Sequence, residues 1–163
     1  PLLLPHYHII HQTGLHNYEL CCARYKEIQR SLPMELHKKY HPWAYFENTM
    51  ATAYTAADVI ISRSGSAIFE VAFFGKPSIL IPLTESANDH QRSNAYAYAR
   101  SGAAIVCEEK DCTGDSLFSI VQKIVGNTDL YARMSAAARA FAKPHAAATI
   151  ARDLFLANKP WNS

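Results

Sequence analysis

The chain has 163 residues, 49% of them hydrophobic, which suits a single domain with a substantial buried core. Its 16 Lys and Arg residues and 14 Asp and Glu residues give a net charge of +2. These charges are scattered, whereas nucleic-acid-binding proteins carry clustered basic residues. No apolar run approaches the ~20 residues of a membrane-spanning helix. Composition therefore argues against a nucleic-acid-binding protein and an integral membrane protein.

The amino-terminal segment begins with Pro1 rather than Met and has no charged region ahead of an apolar one. This pattern does not match a signal peptide, and we expect the chain to be a fragment of a longer protein. The first predicted strand covers residues 7–11. A helix is predicted over 15–39 with a break at Pro33, and an extended segment over 41–46.

Strands alternate with helices along the rest of the chain. Further strands are predicted at residues 59–62, 78–83 and 104–106, and helices at 49–57, 69–74, 88–101, 114–125, 128–142 and 146–157, the last within a C-terminal segment at 145–158. The continuous apolar strand 78–83 is typical of a parallel sheet covered on both faces. The order predicts an α/β domain with a Rossmann-like, doubly wound parallel sheet over residues 1–163.

Polar residues are concentrated in three loops that follow predicted strands. In doubly wound sheets, ligands bind at the carboxyl ends of the strands, so these loops should share one edge of the sheet. The loops cover residues 11–14, 63–66 and 84–90. The first contains His11, Gln12, Thr13 and Gly14, of which His11 alone favours a structural role over a catalytic one.

The second loop, Ser64-Gly65-Ser66, opens a helix that contains Glu70. Free N–H groups at a helix start attract anions, and a carboxylate one turn further on can accept hydrogen bonds from a ribose diol. Small residues also occur at purely structural turns, so this loop alone does not decide between the two roles. Because the neighbours of Glu70 are nearly all apolar, we expect the carboxylate to have a dedicated partner.

The third loop leads into a helix rich in hydrogen-bonding side chains. Asn88 or Asp89 can cap that helix without any further role. His90, Gln91 and Asn94 follow, and Gln91 and Asn94 lie on one helical face. An amide-rich face of this kind fits the hydroxyl groups of a sugar.

Two groups of potential metal ligands are weak candidates. His37 and His41 have helical spacing, but Pro42 interrupts the helix and no third ligand is near. The four cysteines lack C-x-x-C spacing. We therefore predict no metal site.

These motifs together resemble the C-terminal half of the MurG family, bacterial UDP-N-acetylglucosamine transferases of peptidoglycan synthesis. The resemblance rests on four stretches in the family's order: HQTG (11–14), FENTMATAYTAADVIISRSGSAIFEVAFFGKPSILIPL (46–83), NDHQRSNA (88–95) and SGAAIV (101–106). It implies the GT-B fold, in which two Rossmann-like domains face each other across a cleft. The C-terminal domain of that fold holds the sugar nucleotide.

The resemblance also implies roles for individual residues. Gln91, with His90 and Asn94, matches the group that reads the N-acetylglucosamine hydroxyls, and Glu70 matches the acid on the ribose. The backbone of Glu47 aligns with a position that contacts uracil. The loop and helix start that approach the diphosphate correspond to Ser64, Gly65, Ser66, Ala67 and Ile68.

The implied reaction is an inverting transfer of N-acetylglucosamine from UDP-GlcNAc to undecaprenyl-pyrophosphoryl-MurNAc-pentapeptide, with no metal or other cofactor. The family's N-terminal domain, its catalytic base and the first βα unit of the donor domain have no counterpart here. No catalytic residue is therefore expected in this chain, and the lipid-linked acceptor would be bound by the missing domain. The turn from Arg63 to Glu70 is one residue shorter than the family's commonest form.

The resemblance implies a cytoplasmic protein with peripheral contact to the inner face of the cell membrane. Two alternatives stay open from the sequence. One is a related GT-B glycolipid synthase with a different acceptor. The other is a noncatalytic subunit that binds UDP-GlcNAc for a separate catalytic chain.

Overall fold

The computed structural model describes residues 2–83 and 90–157, in which five strands alternate with seven α-helices. The strands are β1 (Ile9–Gln12), β2 (Tyr40–Trp43), β3 (Ile60–Ser62), β4 (Ser78–Leu80) and β5 (Ala104–Val106). The helices are α1 (Tyr18–Gln29), α2 (Met50–Ala56), α3 (Ala67–Phe73), α4 (His90–Arg100), α5 (Gly114–Val125), α6 (Thr128–Phe141) and α7 (Ala146–Ala157).

The strands form two parallel sheets. Strand β1 pairs with β2, with Ile9 opposite Tyr40. The second sheet has the order β3-β4-β5, so β4 is its central strand. Parallel pairing and alternating helices confirm the predicted doubly wound α/β fold.

The core lies on both faces of β4. Leu80 packs into a cluster with Ile68 of α3 and Tyr98 of α4, whereas Ile79 packs with Ile124 of α5 and Met134 of α6. Successive strand residues point to opposite faces, so helices cover this sheet on both sides. Burying each large apolar side chain stabilises the fold by about 1.5–3 kcal/mol. This rigid layer positions the loops that follow β3 and β4.

The predicted helix over 15–39 is wrong beyond α1. The chain leaves the helix after Gln29, forms a 3-10 turn at Met34–Leu36 and then enters β2. Pro33 cannot donate the hydrogen bond that a continuing helix requires. The Tyr25 hydroxyl contacts the carbonyls of Leu36 and His37 at 3.4 and 3.1 Å. These contacts hold the segment after Pro33 against α1.

Strand β2 contains Pro42, opposite His11 of β1. The amides of Ile9 and Thr13 donate to the carbonyls of Lys39 and Trp43, so alternate residues of β2 face β1. Pro42 falls between them and faces the outer side. Its missing N–H therefore costs no hydrogen bond to β1, as is usual for proline in an edge strand.

Other element boundaries differ by a few residues from the sequence prediction. Strand β1 begins at Ile9 rather than residue 7, β4 ends at Leu80 rather than 83, and α3 begins at Ala67 rather than 69. Pro82 lacks an N–H and cannot extend the ladder of β4. Residues 84–89, including the predicted caps Asn88 and Asp89, lie outside the described residues.

Candidate functional site

The loop after β3 is attached to the first turn of α4. The buried Ser64 hydroxyl donates to the Gln91 carbonyl at 2.7 Å, and the Asn94 side-chain amide donates to the Ser64 carbonyl at 3.4 Å. The Gln91 side-chain oxygen accepts a bond from the Leu83 amide at 3.3 Å. The 63–66 loop and the first turns of α4 are therefore in contact, whereas residues 84–89 of the third predicted loop lie outside the described residues. We call this group of Ser64, Gln91 and Asn94 the loop–helix junction.

The start of α3 provides a short turn with an open face. Ser66 is exposed at the N-cap position and its side chain makes no capping bond. A Cβ atom placed on Gly65 would meet no atom within 4 Å. The Ile68 side chain is buried in the core, and its amide donates to the Gly65 carbonyl at 3.3 Å. Ile68 therefore supports this turn from beneath, while space above Gly65 is available to a ligand.

Glu70 lies on the exposed side of α3 beside Tyr54 of α2. Burial, followed by the charge of the adjacent Glu70 carboxylate, raises the pKa of Tyr54. The Tyr54 ring also lies 5.3 Å from that of Phe74, which fixes the orientation of the phenol. The Tyr54 phenol therefore lies beside the Glu70 carboxylate, and the dedicated partner expected for Glu70 stays a prediction. Sequence reasoning missed Tyr54, because nothing in an isolated helical aromatic indicates a contact with the next helix.

Glu70 also borders a cavity of about 450 Å³. The cavity is lined by aromatic residues of α3 and by the segment that leads into α7. Lys143 is the basic side chain in this lining. Glu70 is exposed and is therefore accessible to a ligand.

The loop after β1 supports its neighbours through hydrogen bonds. The Gln12 side-chain oxygen accepts the Phe46 amide at 3.2 Å, next to the exposed Glu47. The buried Thr13 hydroxyl contacts the carbonyls of Gly14 and Trp43 at 3.0 and 3.2 Å. Gly14 has a φ of 81°, a left-handed conformation that favours glycine. These contacts attach residues 12 and 13 to the segment 43–46, and the supporting role of residues 11–14 at a binding site stays a prediction.

His11, His37 and His41 each make local contacts. The His11 ring is hydrogen-bonded to the Tyr40 hydroxyl at 2.7 Å, and partial desolvation lowers the pKa of His11. His37 contacts the Leu32 carbonyl at 3.0 Å, and His41 stacks on His8. His37 and His41 thus each have a local contact of their own. His90 is the exposed first residue of α4.

Basic side chains near the junction are paired with acids. Arg63 donates to the Glu109 carboxylate at 2.7 Å and to the Ile81 carbonyl at 3.2 Å. Arg92 donates to Glu108 at 3.2 Å. The hydrogen bond from Tyr96, and then Arg92, lower the pKa of Glu108. Arg63 is therefore directed along the sheet edge towards Glu109.

Two general properties of the described part of the chain bear on the site. Within residues 2–83 and 90–157, no group of three or more His, Cys, Asp or Glu side chains is placed to hold a metal ion. In the same ranges, no helix has the length and apolarity needed to cross a bilayer.

Comparison with known proteins places this domain in a family. The profile described as the glycosyltransferase family 28 C-terminal domain matches residues 2–150. A relative from Solibacter usitatus is 44% identical over 141 residues, which are 85% of this chain and 36% of that protein. A second, from Salinibacter ruber, is 34% identical over 148 residues, 90% of this chain and 37% of that protein. Both are named UDP-N-acetylglucosamine--N-acetylmuramyl-(pentapeptide) pyrophosphoryl-undecaprenol N-acetylglucosamine transferase.

Solved structures agree with the sequence comparison. The crystal structure of Acinetobacter baumannii MurG has a TM-score of 0.74 and 31% identity, covering 92% of this chain and 43% of that one. A glycotransferase of kitacinnamycin, 24% identical with a TM-score of 0.63, shares the fold. The chain thus spans just over a third of the length of the curated relatives it matches. It belongs to glycosyltransferase family 28, as a C-terminal domain of that family.

Proposed function

We propose that this domain binds UDP-GlcNAc for a glycosyltransferase that transfers N-acetylglucosamine to a lipid-linked MurNAc-pentapeptide. The observation that carries the proposal is the loop–helix junction. It fastens the turn at Gly65, where a ligand has room, to the helix that carries Gln91 and Asn94. The names of the relatives supply the substrate class.

Each part of the site has a role in this proposal. The diphosphate lies against the backbone of residues 64–67, and Glu70 accepts hydrogen bonds from the ribose hydroxyls. Gln91 and Asn94, with His90, contact the sugar, and the Glu47 backbone contacts uracil. Since the Leu83 amide occupies the side-chain oxygen of Gln91, the amide nitrogen of Gln91 is the group available to a sugar hydroxyl.

In the proposed reaction, the acceptor hydroxyl attacks the anomeric carbon while the bond to the β-phosphate oxygen breaks. UDP leaves, the configuration inverts, and the acceptor proton passes to a base outside this domain. Backbone N–H groups near Gly65 and Ser66 would stabilise the charge that develops on the departing diphosphate. Preorganised donors of this kind are often a large electrostatic contribution to catalysis. The proposal assigns no resident metal or cofactor.

The lipid-linked acceptor would be bound outside residues 1–163, by the remainder of the longer protein. Because such an acceptor is held in a bilayer, the proposal places that protein peripherally at the inner face of the cell membrane. This part of the proposal follows from the chemistry of the acceptor that the relatives' names specify.

Calorimetric titration of UDP-GlcNAc into the longer native polypeptide tests the donor site. Glu70→Ala removes charge-assisted hydrogen bonds worth about 1.5–3 kcal/mol, so affinity should fall at least about tenfold. Glu47→Ala is the matched control, because only its backbone is assigned a contact, and its affinity should stay unchanged. Wild-type affinity in a folded Glu70→Ala protein would refute the site. Failure of the wild-type polypeptide to glycosylate the lipid-linked acceptor would refute the reaction.

A further inference from the structure

Two cysteines lie at the ends of the short loop that follows β5. Cys107 is buried in the core cluster that contains Ile79, and the half-buried Cys112 packs against the same cluster. Burial, followed by a hydrogen bond with the Cys107 sulfur, raises the pKa of the Cys112 thiol. The nearby Arg63 charge acts in the opposite direction and favours the thiolate, the reactive form of cysteine. The two thiols are therefore in contact.

The backbone of the loop brings the two side chains together. The Cys107 amide donates to the Leu80 carbonyl at 2.9 Å, so Cys107 continues the pairing of β5 with β4. The chain then turns through a 3-10 helix at Glu109–Asp111, and the Cys112 amide donates to the Glu109 carbonyl at 3.3 Å. This turn returns the chain towards the end of β5 and places Cys112 beside Cys107.

The far end of the loop is anchored by the start of α5. Thr113 directly follows Cys112, and its hydroxyl accepts the Ser116 amide at 3.1 Å. The Ser116 hydroxyl in turn accepts the Thr113 amide at 2.8 Å. Reciprocal capping bonds of this kind fix the entry of a chain into a helix. Since β4 holds Cys107 and α5 holds Cys112, the folded chain keeps the two thiols close together.

The other two cysteines are arranged differently. Cys21 and Cys22 are neighbours in α1, and adjacent residues of a helix do not face each other. Both are half-buried, as Cys112 is. They therefore provide an internal comparison, in which two thiols of similar exposure point in different directions.

We propose that Cys107 and Cys112 form a dithiol site that a low-molecular-weight disulfide, such as glutathione disulfide, converts to an intramolecular disulfide. The more accessible Cys112 reacts first: its thiolate attacks one sulfur of the oxidant, and one thiol of the oxidant leaves. The Cys107 thiolate then attacks the Cys112 sulfur and displaces the second thiol. The two cysteines lose two electrons and two protons, and the oxidant is reduced to two thiols. This inference rests on the packing of the loop and is independent of donor binding.

The disulfide would close a loop that contacts two other elements of the sheet edge. Glu109 accepts a hydrogen bond from Arg63 at 2.7 Å, and Glu108 accepts one from Arg92 at 3.2 Å. The loop therefore touches both the turn after β3 and helix α4. Because the two thiols already lie in contact, closing the loop leaves these ion pairs in place. A cross-link also restricts the unfolded chain, so oxidation should raise the melting temperature by about 5 °C.

Incubation of the longer native polypeptide with glutathione disulfide, followed by alkylation and chymotryptic peptide mass spectrometry, tests the site. Chymotrypsin keeps Cys107 and Cys112 in one peptide, because no aromatic residue lies between them. That peptide should lose the mass of two hydrogen atoms, and dithiothreitol should restore it. Cys21 and Cys22 should remain free thiols or carry separate glutathione adducts. Free thiols or separate adducts at Cys107 and Cys112, or a bond from either to another cysteine, would overturn the proposal.

Single substitutions test the assigned order of attack. Cys107→Ala should accumulate a glutathione adduct on Cys112, because the displacing thiol is missing, whereas Cys112→Ala should leave the buried Cys107 as a free thiol. If Cys107→Ala does not fold, Cys107→Ser provides the same test with a side chain of similar size. An adduct on Cys107 in Cys112→Ala would refute the order.

Melting temperatures provide a second measurement on the same proteins. Oxidation should raise the melting temperature of wild type and of Cys22→Ala by the same about 5 °C, and should leave that of Cys112→Ala unchanged. An unchanged wild-type melting temperature, or an equal rise in Cys112→Ala, would contradict a cross-link between Cys107 and Cys112.

Discussion

The Ser64 hydroxyl and the Gln91 carbonyl form a 2.7 Å hydrogen bond between the turn after β3 and the first turn of α4. Ser64 is fully buried, so water does not replace this bond. The turn that would face a phosphate and the helix that would face a sugar are therefore held as one unit.

Ser64→Ala should destabilise the fold by about 1 kcal/mol, because it removes a buried hydrogen bond to the Gln91 carbonyl. For a domain of this size, the melting temperature should fall by about 2–4 °C. Ser66→Ala is the control, since Ser66 is exposed and caps nothing, and its effect should stay within about 0.5 kcal/mol. Differential scanning calorimetry measures both. Equal effects would contradict the structural role of Ser64.

Gly65→Ala should separate ligand binding from folding. The added methyl group meets no protein atom within 4 Å and Gly65 does not have a positive φ, so stability should be unchanged. Donor affinity should fall at least about tenfold if the diphosphate passes over this position. Gly14→Ala provides the contrast, because its φ of 81° makes a side chain strained at a cost of about 1–3 kcal/mol. Unchanged UDP-GlcNAc affinity in Gly65→Ala would contradict the proposed path of the diphosphate.

Gln91→Ala should weaken UDP-GlcNAc binding more than UDP binding, because Gln91 is assigned to the sugar. Gln91→Glu is a sharper variant: it keeps an acceptor for the Leu83 amide but loses the amide donor. It should therefore preserve stability and still lose sugar affinity. Calorimetry with both ligands distinguishes these effects. Equal losses for UDP and UDP-GlcNAc would argue against contact with the sugar.

Tyr98→Phe should remove the pH dependence that one buried phenol gives to stability. Burial raises the pKa of Tyr98 to about 12, from 10.0 for a free tyrosine. The folded state thus favours the neutral phenol. The contribution of this preference to the free energy of unfolding is fully present below pH 10 and is lost as the pH rises towards 12. Across that window, wild type should lose up to about 1.4 kcal/mol per pH unit relative to Tyr98→Phe.

The same substitution should stabilise the domain slightly near neutral pH. No hydrogen-bond partner meets the Tyr98 hydroxyl within the described residues. Ser78 lies nearby, but its own hydroxyl donates to the Lys76 carbonyl at 3.1 Å. Urea unfolding from pH 8 to 11.5 tests both effects, and parallel stability curves for the two proteins would contradict the assignment to Tyr98.

The sequence was informative where a pattern reflects local chemistry. The apolar run of β4 and the alternation of strands with helices indicated the fold. The position of Tyr54 beside Glu70 depends on how α2 packs against α3, which no local pattern contains. The end of the first helix was missed for a related reason: Tyr25 holds the chain after Pro33 through contacts with carbonyls that are distant in sequence.

For the site too, the sequence predicted what depends on a local pattern and could not predict what depends on contacts between distant elements. The sequence placed Gln91 and Asn94 on one helical face, and helical periodicity suffices for that. It could not show that Ser64 directs its hydroxyl at α4 rather than at a ligand, because serine suits either role. The direction of the Ser64 hydroxyl is known only from its 2.7 Å hydrogen bond to the Gln91 carbonyl.

Pro42 makes the two edges of the β1–β2 sheet unequal as pairing sites for an added strand. With a proline nitrogen at the middle of its outer side, β2 offers an incoming strand an interrupted ladder. Self-association of the isolated domain through the β1–β2 sheet should therefore start from the side of β1, where Ile10 lies. Charged substitutions meant to keep the isolated domain monomeric should therefore be made on the β1 side. On the outer side of β2, Pro42 already hinders the pairing of another strand.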